Sequence, residues 1–174
     1  FICMLFICNP VIHAQVRTKT DSLREVYIKE KNDSLKTEKR LKYIGSLLKN
    51  DKNLKEAEKE IRILRKDSTH PQFTNTLPWL YYYEALALYY NTQYIPSIIL
   101  LKKAVQSTTK TNESQGIIQC EATILNLTGL NYSNINDWEN AQLNYQKAIN
   151  ALEKINDSSG ISFIYMNMAY IFFD

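Results

Sequence analysis

Two histidines, three cysteines and a run of glutamates are the residues of this chain best suited to chemistry. His13 lies in an apolar stretch and His70 stands alone before Pro71, so neither has clustered carboxylates or thiolates at metal-ligand spacing. Glu56, Glu58 and Glu60 alternate, and positions two apart do not share a helix face, so they make no metal cluster. The glycines are too scattered to cradle a phosphate, and no serine sits in a nucleophile elbow. Cys3 and Cys8 fall in the apolar opening segment, which leaves Cys120 without a partner for a bridge and without a nearby histidine. A small buried side chain is its expected role. No catalytic residue, metal or cofactor is expected, and the chain is expected not to be an enzyme. The stretch "PWLYYYEALALYY", residues 78–90, is the sharpest remaining candidate, because it holds more aromatic side chains than one core-facing stripe uses.

The elements that hold these residues leave their mark on the composition. Glycine and proline number four each in 174 residues, sparse for a sheet protein full of tight turns. Charge is uneven. Residues 15–75 carry 16 Lys/Arg against 10 Asp/Glu, a net +6, and residues 76–174 carry 5 against 8, a net −3. The basic half reads as lysine and glutamate interleaved on solvated helix faces, and contact with nucleic acid is not expected. Residues 1–14, "FICMLFICNPVIHA", form an apolar run too short to span a bilayer, with small Ala14 before Gln15. This pattern suits the remnant of a cleaved secretory signal, and the tail of a membrane anchor is the alternative.

Overlaying the chain on itself reveals a period. Gly129, Tyr132, Trp138, Ala141, Tyr145 and Ala148 fall, 44 residues back, on Ala85, Leu88, Tyr94, Ser97, Leu101 and Ala104. A further shift of 40 reaches Gly45, Leu48, Leu54, Ala57, Ile61 and Leu64, and a forward shift of 40 reaches Ala169 and Phe172. Small matches small and large matches large at all but the last of the first set. Within each unit these residues recur at steps of three and four, the spacing of one helix face. "NIND" divides two such helices, with Asn136 or Asp137 suited to cap the second. Gly129 and Ala141 are then small because two helices cross there, and Tyr132, Trp138 and Tyr145 fill the space around the crossing. Ser22 and Glu25 have the spacing of a capping box. Pro78 and Pro96 suit first helical turns. "DSTHPQFTNT" and "STTKTNES" read as loops.

The set Leu125, Gly129, Tyr132, Trp138, Ala141, Tyr145 and Ala148 resembles the tetratricopeptide repeat. The period of 40–44 is similar to a longer-looped variant of bacterial signalling and regulatory proteins. "NDSSGISFIYMNMAYIFF" has the look of that form, with Gly160, Ile161, Asn167, Met168 and Ala169. The resemblance implies an all-α fold: a right-handed α-solenoid of antiparallel helix pairs, about three and a half repeats. Residues 15–37 would form an N-terminal capping helix. Residues 38–174 would form the solenoid, its units starting near 38, 78, 122 and 162 and the last truncated. Packing residues would be Gly45, Ala57, Ala85, Ala104, Gly129, Tyr132, Trp138, Ala141, Tyr145, Ala148 and Ala169.

In such solenoids the first helices line a concave face. The expected lining is Trp79, Tyr82, Leu86 and Tyr89 in the second unit, Thr123, Asn126, Leu130 and Ser133 in the third, and Phe163, Met166 and Tyr170 in the fourth. Lys39 and Lys42 make the first unit's share basic. The function implied is a non-catalytic scaffold of the cell envelope, exported or periplasmic, that binds a protein or peptide segment. The alternative is the N-terminal sensor region of a longer membrane-spanning regulator, a histidine kinase or a transcriptional regulator. Self-association is a further partner expectation, and membrane contact is expected only through an anchor or a downstream helix.

Overall fold

The computed structural model describes residues 10–67, 76–108 and 114–170, with side chains from Lys19 onward apart from those of Asp67 and Tyr170. Eight helices and no strand occur among the described residues, as the scarcity of glycine and the three-and-four spacings require. They are α1 (Pro10–Lys29), α2 (Asp33–Lys49), α3 (Leu54–Asp67), α4 (Leu77–Tyr90), α5 (Tyr94–Thr108), α6 (Gln115–Asn134), α7 (Trp138–Glu153) and α8 (Ser158–Tyr170). No described helix is long and apolar enough to cross a membrane. Residues 1–9 with Cys3 and Cys8, His70 and most of its loop, most of "STTKTNES", and Phe172 lie outside the described residues, as do the side chains of His13 and Tyr170.

Local chemistry sets the helix starts. Asn32 Oδ1 accepts the Leu35 amide at 3.0 Å, Ser114 Oγ accepts Ile117 N at 3.4 Å, and Asp137 Oδ1 accepts Asn140 N at 3.2 Å. Each satisfies an amide that has no partner inside its helix. Pro78 lies in the first turn of α4 and Pro96 in that of α5, where a missing amide proton costs nothing. The segment expected as one capping helix over 15–37 is two elements: α1 ends at Lys29, Glu30 accepts the amides of Lys31 and Asn32, and Asn32 opens α2. Ser22 is accordingly interior to α1 and caps nothing, since the helix already runs from Pro10. The other first helices begin at Leu77, Gln115 and Ser158, ahead of the starts read from packing residues alone.

One turn recurs. Lys52, Thr92 and Asn136 adopt the left-handed conformation with φ of 50°, 59° and 60°, at intervals of 40 and 44 residues. The next amide in each case, from Asn53, Gln93 or Asp137, donates back to Leu47, Leu88 or Tyr132 at 2.9, 2.9 and 3.0 Å. The same intervals relate the packing residues.

Each helix packs on the next in the chain, and α4 also touches α2 and α6. One core cluster runs from Tyr27 in α1 to Leu127 in α6, and a second joins α6, α7 and α8. Ala57, Ala85, Ala104, Ala141 and Ala148 are fully buried, and Ser97 spends its hydroxyl on the Ala85 carbonyl at 2.8 Å where α4 meets α5. Gly45 and Gly129 are also buried. A Cβ on Gly129 would lie 2.6 Å from Tyr145 Cε1, so the partner at this crossing is the Tyr145 ring of α7 rather than Ala141. Gly45 meets Tyr83 of α4, from the following pair, rather than its own unit's second helix. Tyr132 is half-buried against the second cluster. Two expected packing residues lie outside the core. Trp138 is 42% exposed at the start of α7, and Ala169 is exposed on α8, which no later helix covers among the described residues.

Charged contacts tie the first helices together. Glu60 is buried on α3; it accepts Arg40 Nε of α2 at 2.6 Å and the Tyr27 hydroxyl of α1 at 3.3 Å. Arg65 of α3 pairs with Glu84 of α4, its guanidinium 4.5 Å from the Tyr81 ring centroid.

Candidate functional site

Alternate helices converge on one cavity of about 410 Å³. Lys49 comes from α2, Tyr82, Leu86, Tyr89 and Tyr90 from α4, Thr123, Asn126 and Leu130 from α6, and Gly160 and Phe163 from α8. Leu152 is the contribution of α7. The volume falls within the usual span of ligand sites, about 300–1,000 Å³. Tyr82, Leu86 and Tyr89 step by four and three, as do Thr123, Asn126 and Leu130 in the opposite order, so each helix offers one stripe. The stripes are in phase: Tyr82 and Leu86 correspond to Asn126 and Leu130, 44 residues on.

The stripes differ in depth. Tyr82 and Leu86 are each 5% exposed and form the floor. Burial pushes the Tyr82 phenol far above the ordinary tyrosine range. Tyr89 is half-buried at the edge, its ring 5.7 Å from Tyr90 and 5.8 Å from Tyr94. Asn126 accepts a hydrogen bond from Asn167 of α8 at 2.9 Å, which links the two helices across the cavity wall. Phe163 is 53% exposed on the α8 side.

Lys49 is the one charged residue of the lining, with its Nζ 5.4 Å from the Tyr82 ring centroid. Loss of hydration around the ammonium draws its pKa below the ordinary lysine value, although the residue as a whole keeps exposed surface. A cation on an aromatic face beside hydroxyl and amide groups suits a ligand with an apolar body and polar edges. Among the described residues no group of three His, Cys, Asp or Glu could hold a metal. Cys120 is buried under this region, and burial pushes its thiol up to about 12.

Of the residues expected on this face, the structure gathers Tyr82, Leu86, Tyr89, Thr123, Asn126, Leu130 and Phe163. Trp79 stands apart, half-buried, edge-on to Tyr82 at 5.7 Å and stacked on Tyr83 at 6.1 Å. Ser133 turns its hydroxyl to the Gly129 carbonyl at 2.9 Å and does not line the cavity. Met166 is 62% exposed on α8 and does not line the cavity, and the Tyr170 side chain lies outside the described residues. Lys39 pairs with Glu30, and Lys42 with Glu38 at 2.7 Å. The residue of α2 that does reach the cavity is Lys49, which shares the phase of Tyr89 40 residues on. That signal was present in the period and was hidden by the change from aromatic to cation. Comparison with protein-family models, curated proteins and solved structures returns no match.

Proposed function

We propose that this chain is a non-catalytic scaffold that holds a peptide or protein segment in the cavity between α2, α4, α6 and α8. The helices are read as a right-handed tetratricopeptide-like solenoid acting outside the cytoplasm, and the cavity as part of its concave face. One observation carries the proposal: residues in the same phase of alternate helices line a single cavity that is aromatic on one side and polar on the other. Tyrosine, phenylalanine and amide side chains in that arrangement offer flat contact area and hydrogen bonds to a backbone.

Selection of peptides from a random display library against the purified chain supplies a ligand. Phe163→Ala should then weaken binding by about tenfold or more, equivalent to about 1.4 kcal/mol, with an unchanged unfolding midpoint, because Phe163 is exposed. Thr123→Trp, which fills the cavity from α6, should abolish it. Selected peptides that bind both variants as tightly as the parent would place recognition elsewhere and end the proposal.

A further inference from the structure

The outer face of α3 carries a row of cations with one carboxylate, Glu56, at its edge. Lys55, Lys59, Arg62 and Lys66 are exposed and fall within about 60° of one another around the helix at 3.6 residues per turn. They form a row about 16 Å long at 1.5 Å per residue. Lys52, exposed in the preceding turn, leads into the row. The glutamates between them are each engaged, Glu60 in the core, Glu58 by α4's following turn and Glu56 by Lys59 of the row itself. Glu60 is buried under Arg40 and Tyr27, half-buried Glu58 accepts Asn91 at 3.0 Å, and half-buried Glu56 pairs with Lys59 at 3.2 Å. Among the described residues Lys55, Arg62 and Lys66 have no ion pair within 4.0 Å. Ile63 lies along the edge of the row and is 38% exposed.

We infer that this face docks on an anionic phospholipid surface. A row of cations on a solvent-facing helix gains from each anionic headgroup beneath it. An exposed isoleucine at the edge of the row can enter the headgroup boundary. Among the described residues the face has no aromatic side chain on which unpaired bases could stack, which a single-stranded nucleic acid would use. Under the alternative reading of residues 1–14 as the tail of an anchor, the chain is held beside a lipid surface. This inference is independent of the cavity, whose lining takes nothing from α3.

Vesicle sedimentation of the full chain tests it. Vesicles of phosphatidylcholine with one part in three phosphatidylglycerol should bind the chain more tightly than pure phosphatidylcholine, and salt should weaken the difference. Lys55→Gln, Arg62→Gln and Lys66→Gln together should cut the anionic-lipid increment on the order of a hundredfold, at roughly one headgroup interaction per cation. Lys102→Gln, Lys103→Gln and Lys147→Gln remove the same charge from exposed positions on α5 and α7, and should leave most of the increment. Circular dichroism checks that both variants fold. Equal losses in the two variants would reduce the effect to net charge and overturn the inference. So would the absence of an increment, or duplex DNA competing for the α3 row at the same salt with higher affinity.

Discussion

The contact between Gly129 and Tyr145 offers a sharp test of how α6 and α7 are held. A Cβ at position 129 would lie 2.6, 2.8 and 2.9 Å from Cε1, Cδ1 and Cζ of Tyr145. Carbon atoms rest about 3.5–4.0 Å apart, so the near edge of the ring must retreat by close to 1 Å. Tyr145 has no exposed surface and its neighbours Ala141, Ala148 and Ile149 are buried with it, so the ring has nowhere to go without moving α7. Overpacking of this kind costs about 1–3 kcal/mol. Alanine also favours a helix interior over glycine by about 0.8–1.0 kcal/mol. The two effects oppose, and Gly129→Ala should destabilise by about 1 kcal/mol net, a fall of about 2–4 °C in Tm for a chain of this size.

The sign should reverse when the ring is removed. In a Tyr145→Leu background, itself less stable by about 2–4 kcal/mol, Gly129→Ala should add up to about 1 kcal/mol, giving a coupling energy of about 2 kcal/mol. Urea unfolding followed by circular dichroism at four corners of the cycle reads both numbers. Gly116→Ala is the control, because the nearest atom to its Cβ is Ser114 Oγ at 3.9 Å, and it should be neutral or mildly stabilising. If Gly129→Ala stabilises the parent chain as much as it stabilises the Tyr145→Leu chain, the ring is not seated on the helix backbone and the packing argument fails.

Thr92 holds φ of 59° in the turn where Asn136 and Asn156 hold 60° and 54°. A β-branched residue is strained there and asparagine is not, so Thr92→Asn should raise stability by about 0.5–1 kcal/mol in the same urea assay; a loss would mean the threonine makes an unseen compensating contact. Alkaline pH should unfold the chain through its buried phenols. Burial raises Tyr43 and Tyr145 from the ordinary value of 10.0 to about 12. The folded chain keeps protons that the unfolded chain releases between those values. The stability they contribute is therefore whole below pH 10 and falls by about 1.4 kcal/mol per pH unit per phenol as pH rises toward 12. Phenolate absorbance and helix loss should rise together; complete ionisation with the helix signal intact would show these rings to be accessible.

Much of the helical content is legible in the sequence, and for a local reason. A helix face is fixed by spacing alone, so the steps of three and four that placed Gly129, Ala141, Tyr145 and Ala148 on facing stripes also placed α6 and α7. Caps are read from a few neighbouring residues, and Asp137 opens α7 as its side chain allows. Helix starts were read less well, because packing residues begin a turn or more inside the helix. The fate of each aromatic was not local. Tyr82 and Tyr89 lie on one stripe seven residues apart, yet Tyr82 is 5% exposed in the floor, packed by Trp79, Tyr83 and Lys49 of α2, and Tyr89 is half-buried at the edge beside Tyr90 and Tyr94. Trp138 looked like core by type and is 42% exposed by position.

The sequence by itself determined that the described residues fold into helices and which small residues are buried at helix crossings, because both follow from spacing along a helix face. Only the tertiary structure decided what the charges do. In residues 54–67 five Lys/Arg are interleaved with four Asp/Glu, a net +1, and the stretch alone reads as a mixed solvent face. Burying Ala57, Ile61 and Leu64 fixes the rotation of α3, and Arg40, arriving from α2, gives Glu60 a partner that lets a carboxylate leave water. Glu60 is drawn in and Glu58 is engaged by Asn91, while Lys55, Arg62 and Lys66 remain outside, so a mixed sequence becomes a predominantly cationic surface.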